Sequence, residues 1–138
     1  YRKFNEKQIK TLLKISNFLI KKYKINKRNI LGHSDIAPLR KIDPGENFPW
    51  KFLHKNKIGI WHDLKTKDLR ITRGKIVEFN FKKFTNYLKN IGYNIKEPNS
   101  NEIEKTIRIF QMRFRPELID GKLDLECFKI AKSLTNIK

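Results

Sequence analysis

Apolar positions recur at helical spacing in four stretches of the chain. In the first, from Asn5 to about Tyr23, Ile9, Leu12, Leu13, Leu19, Ile20 and Tyr23 fall on one broad face. Asn5 is placed to cap this helix, Gln8 stands at the reciprocal capping-box position, and Phe4 can staple onto Ile9. Lys21, Lys22 and Lys24 suit the negative end of the helix dipole. The apolar face needs a sheet or a core to cover it. Phe81, Phe84, Leu88 and Ile91 form a second stripe, ended by Gly92, and Ile103, Ile107, Phe110 and Phe114 a third, opened by a box from Asn101 to Glu104. The last starts at Asp124 as cap and runs through Cys127, Phe128, Ala131 and Leu134. Three short helices can bury a shared core only against each other, which predicts a small helical domain over residues 79–138.

Between the first helix and this tail the pattern changes. Asn26-Lys27-Arg28 reads as a turn, and Asn29-Ile30-Leu31-Gly32 as a short buried strand that delivers His33 at its end. From Ser34 to Pro49 there is no periodicity, and Pro38, Pro44, Gly45 and Pro49 punctuate a loop. Pro49 suits the first turn of a short helix through Trp50, Lys51, Phe52 and Leu53, and the stretch from Lys55 to Glu78 reads as connection and short extended pieces. Helix, strand, long loop and short helix over residues 1–78, followed by the helical tail, predict an α+β fold.

Charge widens the field of partners without deciding it. The formal net charge of +18, from 32 Lys and Arg against 14 Asp and Glu, favours a polyanionic partner, but the basic residues are spread along all 138 positions. Charge alone keeps nucleic acid open, yet no helix-turn-helix or aromatic RNA platform is recognisable. The single cysteine, Cys127, excludes an internal disulfide and reads as a small core residue. The longest apolar cluster is far too short for a membrane span. The chain opens on Tyr1 without the order of residues that marks a secretory signal, so its true start is expected to have been removed by processing or truncation.

Chemistry concentrates in the loop. Gly32-His33-Ser34-Asp35-Ile36-Ala37-Pro38-Leu39-Arg40-Lys41-Ile42-Asp43-Pro44-Gly45 places an imidazole at the end of the expected strand, a carboxylate ten positions later, and a lysine two positions before that carboxylate. His and Asp are both good zinc ligands, and a loop of this length can fold back to put them on one ion. From residue type alone, a structural or solvated pair stays open beside the metal reading.

The string resembles the zinc-dependent N-acetylmuramoyl-L-alanine amidase family of AmpD/AmiD type through His33, Ser34, Asp35, Ile36, Ala37, Pro38, Arg40, Lys41, Asp43, Pro44 and Gly45. The resemblance implies a partial domain of the amidase and peptidoglycan-recognition type, with Zn2+ as cofactor. It makes His33 and Asp43 two of three protein ligands and Lys41 a catalytic residue beside the scissile amide between N-acetylmuramic acid and L-alanine. Arg40 would contact substrate carboxylates or form a scaffold salt bridge, and Asp35 would orient the loop through backbone hydrogen bonds. The family's further histidine ligand and acidic base lie on strands before the helix that matches Asn5 to Tyr23. This chain is therefore expected to lack them, a missing segment or separate chain supplying them. His54 and His62 stand outside the ligand positions, and His62 replaces the proline that often follows the tryptophan in the family's counterpart of Gly59-Ile60-Trp61-His62.

The tail carries a second resemblance. Phe110-Gln111, Arg115-Pro116 and Asp120-Gly121-Lys122-Leu123-Asp124 look like the three-helix peptidoglycan-binding domain that follows such catalytic domains. Gly121 permits the tight turn and Asp124 opens the last helix, whereas the alternating ligands of a calcium loop are absent. The two resemblances imply peptidoglycan or muropeptides as partner and a bacterial periplasmic or cell-wall setting. A noncatalytic remnant that only binds wall polymers is the alternative, and a nucleic-acid-binding protein the third.

Overall fold

Helix α1 spans Glu6–Tyr23 in the computed structural model, which describes residues 4–76, 81–95 and 99–137. Its start is the expected capping box: the Asn5 side chain accepts the Gln8 amide at 2.8 Å, and the Gln8 side chain accepts the Asn5 amide at 2.9 Å. Lys24 closes the helix in the left-handed region, its amide donating to the Ile20 carbonyl. Leu12, Leu13 and Ile20 lean on the core, while Ile15, Phe18, Leu19 and Tyr23 stay exposed and no residue of α1 is buried. Phe4, placed over Ile9 by the staple reading, meets Phe48 edge-on with ring centroids 5.5 Å apart.

The α+β class is corrected to an all-helical one, because no strand occurs among the described residues. The expected strand Asn29–Gly32 divides between a 3-10 turn, Lys27–Asn29, and a non-helical connector. A strand exists through its ladder to a neighbour, and here the polar groups are committed elsewhere. The amides of Asn29 and Ile30 turn back to Asn26 and Lys27 at 2.8 and 3.4 Å, and that of Gly32 donates to Asp35 Oδ2 at 2.7 Å. The Ile30 carbonyl accepts from Arg113 Nη2 at 3.2 Å.

Three short helices follow: α2 (His33–Ile36), α3 (Trp50–Lys55) behind Pro49, and α4 (Thr66–Arg70). The last lies where connection and extended pieces were expected; Thr66, Lys67 and Arg70 face solvent while Leu69 alone is buried, so no apolar stripe announces it. The tail forms α5 (Phe81–Asn90), α6 (Ser100–Phe114) and α7 (Leu125–Thr135). Phe84, Leu88, Phe110, Phe114, Cys127, Ile130 and Leu134 build its interior, with Phe84 edge-on to Phe110 at 5.4 Å. The α6 box uses Asn99 and Glu102 instead of Asn101 and Glu104. Glu104 is engaged one turn on, by Arg108 at 3.0 Å. Asp124 caps α7 as expected, accepting the Cys127 amide at 2.8 Å, and burial pushes the Cys127 thiol up to about 12.

The core of the tail continues into the first half of the chain through Trp50, Leu53, Ile58, Ile60 and Trp61. Trp61 lies 5.7 Å from Phe114, and Arg28 donates to the carbonyls of Thr135 and Ile137. Gly92 sits at φ +103°, where an L side chain is strained, and a Cβ there would also press on Leu31 Cδ1 at 2.9 Å. The boundary drawn between residues 78 and 79 lies outside the described residues.

Candidate functional site

The loop after Gly32 is closed by its own backbone. The Ser34 amide donates to the Asp43 carbonyl at 3.0 Å, and the Ala37 carbonyl accepts the amides of both Arg40 and Lys41 at 3.0 Å. These bonds fold Asp43 back over the start of α2, so that His33 Nδ1 and Asp43 Oδ2 stand 3.2 Å apart. Both side chains remain open to solvent, at 51% and 62% of their full exposure. Lys41 sits half-buried on the same turn, and Arg40 is exposed beside it.

Beneath the loop lies a second charged pair. Asp35, 1% exposed, accepts the Gly32 amide and an Nη1 hydrogen bond from Arg113, itself 3% exposed on α6. The Arg113 guanidinium also covers the Trp50 ring, 4.0 Å from its centroid. Gly32 is squeezed between Pro44, Asp35 and Trp50, and an added Cβ would come within 2.9 Å of Pro44 Cδ. Burial, and then the charge of nearby Asp35, raises the Tyr93 phenol well above its ordinary value, so it stays neutral. Asp35 orients the loop through the backbone as expected. Its cationic partner, 78 residues away, was not anticipated; the available signal was a cation one helical turn after Ile109 on the buried face of α6.

The other histidines stand apart from this pair. His54 Nδ1 faces the Gly59 carbonyl at 3.3 Å. His62 lies against Trp61 at 5.3 Å, and burial, then the Lys51 charge, lower its pKa to about 4. Among the described residues no three His, Cys, Asp or Glu side chains group as a metal site, so the donors brought together are the two on the loop. An imidazole nitrogen and a carboxylate match zinc chemistry, but a catalytic zinc ion takes three protein donors.

Residues 1–46 match the family model described as N-acetylmuramoyl-L-alanine amidase. AmpD of Haemophilus influenzae, a 1,6-anhydro-N-acetylmuramyl-L-alanine amidase, is 47% identical over 49 residues, which cover 35% of this chain and 27% of AmpD. Together these matches support the AmpD/AmiD-type N-acetylmuramoyl-L-alanine amidase family. AmiD of Escherichia coli K12 is 35% identical over 133 residues, spanning 95% of this chain and 48% of AmiD, so the likeness extends through the helical tail. The chain thus spans about half the length of that relative. The solved complex of E. coli AmiD with anhydro-N-acetylmuramic acid-L-Ala-D-γ-Glu-L-Lys aligns with a TM-score of 0.82 at 33% identity, over 96% of this chain and 52% of that one. Two crystal structures of AmpDh3 of Pseudomonas aeruginosa, one in complex with an anhydromuramic pentapeptide, give 0.82 at 30% identity over 97% of this chain and 54% of that one. Among the described residues no helix is long and apolar enough to cross a membrane.

Proposed function

We propose that this chain is part of a peptidoglycan amidase that hydrolyses the amide between N-acetylmuramic acid and L-alanine. The observation that carries this reading is the approach of His33 Nδ1 to Asp43 Oδ2, 3.2 Å apart on the loop whose sequence resembles the family's active-site motif. His33 and Asp43 would hold zinc, with a third donor from outside the described residues. When bound, zinc supplies an acidified water and a polarised amide carbonyl. The Lys41 ammonium stabilises the negative charge that develops on the carbonyl oxygen, and Arg40 pairs with a carboxylate of the stem peptide. The buried Asp35–Arg113 pair holds the loop in register with α6 and touches no reacting atom. Residues 79–138 act as the peptidoglycan-binding portion, and the setting is the bacterial envelope.

The two-donor set favours one other reading, a noncatalytic chain that only binds wall polymers, since two ligands hold zinc weakly and hydrolyse little. Zinc content after dialysis, peptide release from muropeptides and sedimentation with purified sacculi separate the two. With the segment that supplies the third donor present, the amidase reading expects zinc retention and L-alanine-headed peptides, both lost in His33→Ala. Sedimentation with neither zinc nor peptide release would leave the wall-binding reading in its place.

A further inference from the structure

The run from Arg28 to Asp35, which delivers His33, is held by all three helices of the tail. Arg28 donates to the carbonyls of Asn90 at 3.4 Å and Thr135 at 3.0 Å, at the ends of α5 and α7. Arg113 of α6 donates to the Ile30 carbonyl at 3.2 Å through Nη2 and to Asp35 through Nη1. Leu31 lies against Gly92, just past α5, and the buried Tyr93 that follows stands beside Asp35. The bonds the run makes within its own half are local: Asn29 and Ile30 turn back on Asn26 and Lys27, Gly32 on Asp35, and Ser34 on Asp43. They shape the turn without fixing where it sits. Trp50, which walls Gly32 on the other side, is itself covered by the Arg113 guanidinium at 4.0 Å.

Arg113 therefore has two tasks that can be separated. As a cation it neutralises the buried Asp35 carboxylate, and as a fork it ties Asp35 and the Ile30 carbonyl to one rigid plane, fixing both ends of the segment that presents His33. A lysine at this position keeps the cation but offers a compact point charge in place of the fork. It can pair with Asp35, yet the bond to Ile30 is lost and the turn is free to shift relative to Asp43. Tyr93 offers the matching control. Its hydroxyl is buried but forms no hydrogen bond, so Tyr93→Phe keeps the wall beside Asp35 and every bond of the run.

We propose that Arg113 is a positioning residue of the candidate zinc site: its fork sets where His33 stands relative to Asp43, so the tail is a working part of the metal site as well as a wall anchor. The proposal rests on the amidase reading for the identity of the metal, and on the contacts of the Arg28–Asp35 run for the coupling. The test titrates the full chain with Co2+, a paramagnetic stand-in for zinc, and follows NMR broadening of the His33 imidazole and the Asp43 amide. Both signals are expected to broaden at one midpoint in the wild type and in Tyr93→Phe. In Arg113→Lys that midpoint should rise by roughly tenfold while the folded spectrum is retained. An unmoved midpoint in Arg113→Lys, an equal rise in Tyr93→Phe, or no broadening at His33 and Asp43 in the wild type would overturn it. Amide exchange in the wild type tests the coupling without a variant: Gly32 and Ser34 should exchange together with α6. Exchange more than about a hundredfold faster than α6 would overturn the coupling even if Arg113→Lys failed to fold. Muropeptide cleavage, measured with the segment that supplies the third donor present, keeps the two readings apart. A shifted midpoint without cleavage sinks the amidase reading and leaves Arg113 in its role; cleavage with an unmoved midpoint does the reverse.

Discussion

One loop carries two acid–base pairs in opposite surroundings. His33 and Asp43 meet at its mouth with more than half of each side chain in water, whereas Asp35 and Arg113 meet at its floor, almost wholly out of it. An exposed pair contributes about 0–1 kcal/mol, too little to draw a loop closed. The approach of His33 to Asp43 is therefore imposed from elsewhere, by the Ser34–Asp43 backbone bond and the floor pair, and the mouth groups keep lone pairs for a ligand. A buried pair behaves differently. It gains little over an apolar replacement, but removing one partner strands a charge. The floor supplies position, and on the proposed amidase reading the mouth supplies chemistry.

The comparison breaks most visibly at Arg113. Arg113→Met leaves Asp35 buried without its cation and takes the bond from the Ile30 carbonyl, so a loss of about 3–5 kcal/mol is expected by urea denaturation. Replacing both partners, in Asp35→Leu/Arg113→Met, should recover much of that loss. A single variant costing under about 1 kcal/mol would show that the floor does not anchor the loop.

His62 sharpens the same contrast, because it is largely buried yet has no carboxylate bonded to it, and its pKa falls to about 4. The unfolded chain takes up this proton near the ordinary histidine value and the folded chain resists it down to about 4. The unfolded state thus binds more protons in that window, and stability falls as the pH drops from about 6.5 to 4. The contribution is on the order of 2 kcal/mol and is complete above the window. His62→Gln should flatten that portion of the stability-against-pH curve; an unchanged slope would remove His62 from the account.

What the sequence disclosed follows the range of each interaction. The Asn5–Gln8 box, the Asp124 cap and the stripe Phe81, Phe84, Leu88 act within a few residues, and all lie where expected. The turn from His33 to Asp43 is likewise local, and both residues were named from the motif. The strand at Asn29–Gly32 failed because strand character depends on a neighbour that no local pattern specifies. The α6 start was misplaced by two residues because Asn99/Glu102 and Asn101/Glu104 offer the same spacing, and only the engagement of Glu104 by Arg108 separates them. Arg113 was invisible as the loop's anchor, since its partner lies 78 positions away. The apolar stripe of α1 predicted a covered face, yet Leu19 and Tyr23, both on that stripe, face solvent. Periodicity records a helix; it does not say which of its residues find a partner.

The two capping boxes carry a smaller test of that point. Asn99→Ala removes the cap from α6, whose residues form the floor and the core, and about 1 kcal/mol of global stability should go with it. Asn5→Ala removes an equivalent cap from α1, which buries no residue, so the loss should appear as faster amide exchange in its first turn with little change in global unfolding. Equal global losses would mean that α1 is as integral to the cooperative unit as α6.

The smallest expected effect on stability belongs to the mouth. His33→Ala removes one partner of an exposed pair and leaves the Ser34–Asp43 backbone bond, the Gly32–Asp35 bond and the floor pair in place. Its unfolding free energy should move by less than about 0.5 kcal/mol, while, on the amidase reading and with the third donor present, zinc retained after dialysis falls to background. Asp43→Asn should behave alike, because an amide keeps the shape of the carboxylate but loses the charge that zinc requires. A large loss of stability in either variant would make the mouth a structural pair like the floor. The difference between the two regions would then be one of exposure alone.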